Sequence, residues 1–271
     1  MLSEKSRCYL QNSKDIAAFS ILILGAPIDF IYELYFVSDH YQKVNGTGIN
    51  CYYYGVLIFC AVEVFWNLYY VTTCDNRTDT LVTTSTEELD VESCEECGMP
   101  RVPQSHHCKA CNVCILRRDH HCWFAGNCVG LHNQGNFVML SMYLWMAAVI
   151  QNIYNIQFVC DVLGCDLYSL LTVCLPHFPV MIKQYSLYCF FVNFMTFLGI
   201  LLLLMFTYLF WLQVIQLVTG LTRHQLKQRK IDYRFPNMFD NIVTALGHHW
   251  YLCWLLPPLN TSLKLTSKKT T

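Results

Sequence analysis

The sequence predicts an all-α polytopic membrane protein: four transmembrane helices, with a cytosolic cysteine-rich zinc-binding domain between helices 2 and 3. Three observations carry this. The 271 residues are 54% apolar and only 14% charged, and the apolar residues gather into long uncharged runs. Residues 94–128 hold seven of the 16 cysteines. The basic residues are distributed unevenly about the four runs. A net charge of −1 excludes strong electrostatic attraction to nucleic acid.

The first 15 residues are polar and do not lead into a short apolar core with a small-residue cleavage site, so an uncleaved anchor is expected. They form a cytosolic N-terminus (1–15). Spans one and two, about 16–38 and 50–71, fill 16–71 with a short lumenal loop between them. Span one contains Pro27, Asp29 and Glu33, carboxylates that are costly in a bilayer unless they face other helices. Span two carries Glu63 and Asn67, expected in helix–helix hydrogen bonds. Residues 72–92 are polar and threonine-rich and read as a linker into the zinc domain, which ends at residue 136. Spans three and four, about 137–163 and 187–218, occupy 137–218 with a lumenal loop. The tail, 219–271, is cytosolic, opens with the basic residues Arg223, Lys227, Arg229, Lys230 and Arg234, and is expected to be disordered from 259 onward.

With four spans, the N-terminus, the cysteine-rich segment and the tail share one side and hold 16 of the 18 basic residues; the loops opposite hold only Lys43 and Lys183. The positive-inside rule places the cysteine-rich segment in the cytosol, where thiols stay reduced and bind metal rather than pair. Nine cysteines lie outside the segment, most of them in or beside spans, where a cysteine usually serves as a small apolar filler. A disulfide among Cys160, Cys165 and Cys174 is the less favoured alternative.

The segment itself reads CEECGMPRVPQSHHCKACNVCILRRDHHCWFAGNC. Cys94/Cys97, Cys108/Cys111 and Cys111/Cys114 are each separated by two residues, so that one turn can present two thiolates to a single tetrahedral ion. Apolar residues are sparse over its first twenty positions, and metal must supply the folding free energy that a packed core does not. Two closed four-coordinate sites need eight ligands. Seven cysteines cannot fill them, so histidine takes part; if each site is Cys3His, one cysteine is left over.

Asp119-His120-His121-Cys122, preceded by His107-Cys108-x2-Cys111-x2-Cys114 and followed by Asn127-Cys128-x-Gly130, resembles the cysteine-rich domain of the DHHC protein S-acyltransferases (palmitoyltransferases). The resemblance implies two structural Zn2+ ions with interleaved ligands. Cys94, Cys97, His107 and Cys114 would hold one, and Cys108, Cys111, His121 and Cys128 the other. It leaves Cys122 as the free nucleophile. His120 would accept the Cys122 proton and Asp119 would orient the ring, following the general nucleophile–base–orienter pattern. In an arbitrary zinc finger Cys122 could equally be a ligand and His120 a surface residue; the complete Asp-His-His-Cys run among membrane spans favours the thiol.

The expected activity is therefore protein-cysteine S-palmitoyltransferase. Palmitoyl-CoA or another long-chain acyl-CoA is the co-substrate, and the acyl group passes through a thioester on Cys122. The partners implied are membrane-proximal proteins with cytosolic cysteines and the lipid bilayer, with no nucleic acid, and the location is the Golgi or endoplasmic reticulum. The alternatives are a membrane-anchored zinc module acting as a ubiquitin ligase, or a non-catalytic docking protein. The chain departs from the family pattern at four places. Trp123-Phe124 stands where Pro-Trp is usual, and Arg118 adds a cation expected to favour the thiolate. Only Asp75 remains of an Asp-Pro-Gly motif after span two. Thr222-Arg223-His224-Gln225 stands in place of Thr-Thr-x-Glu. Asn241, in a run similar to the family's C-terminal asparagine motif, is expected to be buried and to brace the tail against the fourth helix.

Overall fold

The structure, a computed structural model, describes residues 12–46, 51–78, 92–99, 101–102, 104–175, 186–228 and 237–255. Arg229, Lys230, Arg234, most of the expected linker and the segment 259–271 lie outside them.

Among the described residues four helices are long and apolar enough to cross a membrane. The first, α1 (Ser13–Tyr32), runs through Pro27 into a π turn (Glu33–Val37) and on into α2 (Ser38–Asn45). It ends at Gly46, whose φ of 69° makes a left-handed stop. The helix therefore extends seven residues beyond the end expected from hydropathy, because hydropathy registers the polar turn of α2 as loop. The second is α3 (Cys51–Thr73), the third α4 (Gln134–Leu163), followed by the short α5 (Leu167–Cys174). The fourth, α6 (Leu187–Thr219), has 33 residues. At about 1.5 Å per residue it is about 50 Å long, well over a bilayer core.

One compact unit is made of residues 21–64 and 141–211. Its core joins Tyr32, Tyr41, Tyr53, Phe158 and Val192. The carboxylates that looked costly in the sequence are satisfied there. Glu33 is 1% exposed and accepts from Tyr53 Oη at 2.6 Å and Asn155 Nδ2 at 2.9 Å. Asp29 accepts from Gln151 Nε2 at 2.8 Å. The π turn begins at Glu33, and a widened turn of this kind re-aims the side chains it carries. Cys160 and Cys165 form a disulfide, which corrects the expectation that they are apolar fillers. The chain turns back at Gly164, between them, and so brings the two thiols together.

The other unit comprises Phe65–Leu140, the start of α1 and the region from Leu212 onward. Here the all-α expectation fails, because the described residues include two antiparallel hairpins. Strand β1 (Ser105–Cys108) pairs with β2 (Val113–Leu116), and β3 (His120–Cys122) with β4 (Asn127–Val129). Strands this short give no periodic hydropathy signal, and each carries at least one metal-ligand residue in place of an apolar one.

Residues 72–78 are not a free linker. Leu116 N donates to Asn76 O at 3.1 Å and Thr78 N to Cys114 O at 3.2 Å, so this stretch lies along β2. Asn76 Nδ2 donates to Cys128 O, and Asn76 Oδ1 accepts from His132 N. Asn127 and Asn133 close the end of α3. Asn127 Nδ2 donates to the carbonyls of Val71, Thr72 and Cys74, and Asn133 Nδ2 to that of Val71. These carbonyls are left over at a helix C-terminus and need donors. Asn67 in α3 accepts from Asn136 Nδ2 at 3.2 Å, the helix–helix bond expected for it.

Candidate active site and metal centres

Register explains how the ligands assemble. In the first hairpin His107 faces Cys114, and in the second His121 faces Cys128. Directly opposed side chains in an antiparallel pair have Cβ atoms about 5 Å apart, a span that one small ion can bridge. Adjacent residues on a strand point to opposite faces, so His107 and Cys108 serve different clusters.

The first set is Cys94, Cys97, His107 and Cys114, and the second is Cys108, Cys111, His121 and Cys128; in each, the ligand atoms lie within 4.8 Å of one another. A tetrahedron with Zn–S bonds of about 2.3 Å has edges near 3.8 Å. Cys97 Sγ and Cys114 Sγ are 3.8 Å apart, Cys111 Sγ and Cys128 Sγ 3.6 Å, and His121 Nδ1 and Cys128 Sγ 3.7 Å. Donor type and spacing both fit Zn2+, and the two clusters can hold metal ions. Each histidine turns Nδ1 inward and Nε2 outward to a carboxylate. His121 Nε2 lies 3.0 Å from Asp15, and His107 Nε2 lies 3.4 Å from Glu96.

Cys122 belongs to neither set. On β3 the two-residue period puts His120 and Cys122 on one face and His121 on the other. Cys122 is 8% exposed. Burial raises its thiol above the usual range, while the amides of Ala125 and Phe124 and the charge of Arg223 pull it back. Arg223 is a cation that lowers Cys122, and Arg223 and Arg118 both lower His120. Trp123 and Phe124, the replacements for Pro-Trp, are both exposed, and Lys14 Nζ lies 5.7 Å from the Trp123 ring centre.

Asp119 is 3% exposed and heavily supplied with donors. Its Oδ2 lies 2.9 Å from His120 Nδ1; its Oδ1 accepts from Gln216 Nε2 at 3.0 Å and from the Arg223 amide at 2.6 Å. Burial opposes ionisation of this carboxyl, but the His120 bond and the nearby positive charge hold it below the ordinary aspartate range. Burial also lowers His120, against the pull of Asp119, which favours the neutral ring. A carboxylate only accepts, so Nδ1 carries the hydrogen and Nε2 is the basic nitrogen.

The tail supplies one of these three donors, the Arg223 amide. Thr222 and Gln225 form a reciprocal cap: Thr222 N donates to Gln225 Oε1 at 2.9 Å and Gln225 N to Thr222 Oγ1 at 3.3 Å. They open α7 (Arg223–Gln228) and aim its first amide at Asp119. The apparently degenerate Thr-Arg-His-Gln thus keeps a working cap, with glutamine in the place of glutamate. Asn241, in α8 (Met238–Leu246), is 3% exposed and donates to Val218 O at 3.2 Å, as expected for a brace on the fourth helix.

Residues 87–230 match the family model of the DHHC palmitoyltransferases. The chain belongs to this family. Among the curated relatives it is 30% identical over 172 residues to probable palmitoyltransferase ZDHHC24 of Danio rerio, covering 63% of this chain and 58% of that protein. It is 29% identical over 163 residues to palmitoyltransferase ZDHHC22 of Homo sapiens, covering 58% of this chain and 61% of that one. The chain thus matches less than two thirds of either relative's length.

For this DHHC chain, reading the sequence missed Asp15, Gln216, the Arg223 amide and the Asn127–Asn133 clasp. Thr-x-x-Gln at 222–225 and Asn-x-x-Asp at 12–15 were legible as helix-cap patterns. Gln216 was not legible, since its partner lies 97 positions away.

Proposed function

We propose that the protein is a protein-cysteine S-palmitoyltransferase working through an acyl-enzyme on Cys122. The observation that carries this is one division of labour. Eight cysteines and histidines group into two four-ligand sets, and the thiol left out shares a strand face with a histidine held by a buried carboxylate.

In the first step the proton of Cys122 goes to His120 Nε2. Its sulfur attacks the thioester carbonyl of palmitoyl-CoA, a new C–S bond forms and the bond to CoA sulfur breaks. CoA leaves as a thiol, taking the proton from His120. In the second step the thiol of a membrane-proximal substrate cysteine gives its proton to His120 and takes the acyl group, and Cys122 departs as thiolate. Asp119 keeps Nε2 as the basic nitrogen and stabilises the imidazolium that forms between proton transfers. The Phe124 and Ala125 amides favour the Cys122 thiolate.

Zn2+ in Cys94/Cys97/His107/Cys114 and in Cys108/Cys111/His121/Cys128 would be structural, since four protein donors close each coordination shell. The cytosolic placement of the hairpins is supported by the 16 basic residues on their side of the spans and by the Cys160–Cys165 disulfide in the opposite loop, where an oxidising lumen would maintain it. This fits a multi-pass protein of the Golgi or endoplasmic reticulum.

The test is labelling of purified protein with alkyne palmitoyl-CoA and release by hydroxylamine. Cys122→Ser should lose the label and keep two zinc ions per chain, while Cys97→Ser should lose zinc. A Cys122→Ser protein that keeps the label, or sheds zinc, would return the chain to the zinc-module class.

A further inference from the structure

The start of the first membrane helix is built into the second metal cluster. Ile16 N donates to Asn12 O at 3.1 Å, which makes Asn12 the cap of α1 and puts Asp15 three positions in. Asp15 Oδ2 reaches back to Asn12, 3.4 Å from its main-chain N and 3.3 Å from Nδ2, and accepts from both, which is the carboxylate half of a capping box. That engages one carboxylate oxygen. The other, Oδ1, lies 3.0 Å from Nε2 of His121, 106 residues away. Asn12 Nδ2 also donates to Ala110 O at 3.3 Å, and Ala110 sits between the ligands Cys108 and Cys111.

Asp15 is 0% exposed. A carboxylate removed from water is costly unless its partners compensate it, so its placement against the histidine needs a reason beyond capping, which is ordinarily done at the surface. The reason lies on the other side of the ring. His121 Nδ1 faces Cys108, Cys111 and Cys128 at 3.9, 3.3 and 3.7 Å, leaving Nε2–H as the donor to Asp15. A carboxylate on the outer nitrogen fixes the tautomer and ring plane of a metal-binding histidine and raises its basicity. The first cluster has only a local counterpart: Glu96 is 55% exposed and 3.4 Å from His107.

We infer that Asp15 is a positioning residue for the catalytic strand, holding His121 in its ligating orientation and thereby tying the first membrane helix to the second zinc site. This rests on the reading above that the cluster holds Zn2+. His121 and Cys122 are consecutive on β3, so a turn of the His121 ring and its backbone moves Cys122 relative to His120.

The experiment is chelator competition on the purified, zinc-loaded full chain in detergent. Asp15→Asn, Asp15→Ala and a Glu96→Gln control are compared, with pulse alkylation and mass mapping to show which cysteines have lost their metal. One of the two zinc ions should leave about 10–100-fold faster in the Asp15 variants. Cys108, Cys111 and Cys128 should become reactive while Cys94, Cys97 and Cys114 stay protected, and Glu96→Gln should leave the second site unchanged. Asp15→Asn keeps the side chain's shape, so it reports even if Asp15→Ala folds poorly. Zinc release identical to wild type, or equal loosening of both ions, would overturn the role of Asp15. A wild-type chain that holds no zinc would instead overturn the metal reading on which it stands.

Discussion

The main-chain amide of Arg223 donates to Oδ1 of Asp119 at 2.6 Å, across 104 positions of sequence. The contact places the first turn after the fourth membrane helix directly behind the carboxylate that orients His120. Its side chain contributes as well, with Nε 3.6 Å from Oδ2. The turn after α6 is therefore part of what holds Asp119, the orienting carboxylate of the proposed mechanism.

Gln225→Ala should show this dependence. Removing the acceptor for Thr222 N costs about 1 kcal/mol of local stability and frees the turn that aims the Arg223 amide. The acyl-enzyme should form more slowly, with two zinc ions retained. Single-turnover labelling beside elemental analysis checks both. His120→Gln should be far more severe, with a loss of about 10²–10⁴ in the same rate.

The pH dependence follows from the direction of two shifts. Burial raises Cys122, so the reactive thiolate is the minor form at neutral pH and grows as pH rises. Burial lowers His120, so the base is already neutral and adds no further rise. The acylation rate should climb from neutral into alkaline pH. Arg223→Gln removes a cation that favours the thiolate and should move the profile to higher pH. An unmoved profile would show that Arg223 acts only through Asp119.

Gly130 is required by space. A Cβ there would lie 2.8 Å from the Leu116 carbonyl and 3.0 Å from Ile115 Cγ2. Gly130→Ala should destabilise the hairpin unit by about 1–3 kcal/mol, as overpacking commonly does, and lower the thermal midpoint in detergent. Gly25→Ala, where nothing lies within 4 Å of the added carbon, is the control and should be tolerated.

Cys160 and Cys165 should resist maleimide in the purified chain in detergent until a reductant is added. Cys160→Ser should leave Cys165 immediately reactive and leave labelling of Cys122 intact, because the disulfide and β3 belong to different compact units.

Much of this protein was legible in its residues. The four apolar runs, the Cys-x2-Cys spacings and the Asp119–Cys122 run are local patterns, and each reports a local physical demand: bilayer thickness, tetrahedral coordination, a thiol beside a base. The short strands were not legible, because alternation over three or four ligand-rich residues carries no hydropathy signal. Thr72–Thr78 read as linker because the bonds that fix it, to β2, Cys128 and His132, reach residues some 36 to 56 positions away, which local pattern does not record. Cys160 and Cys165 read as fillers because spacing alone does not tell a reduced pair from a bonded one.

What the sequence by itself determined was the inventory: membrane helices, two ligand sets, and a thiol, a base and an acid in one run. Only the tertiary structure decided which distant groups hold that run in place. Asp15 reaches His121 from the first helix, Gln216 and Arg223 reach Asp119 from the fourth helix and the turn after it, and Asn127 and Asn133 clasp the end of the second. A buried charge or an orphaned carbonyl must find its partner wherever the chain's path brings one near, and nothing in local spacing records that path.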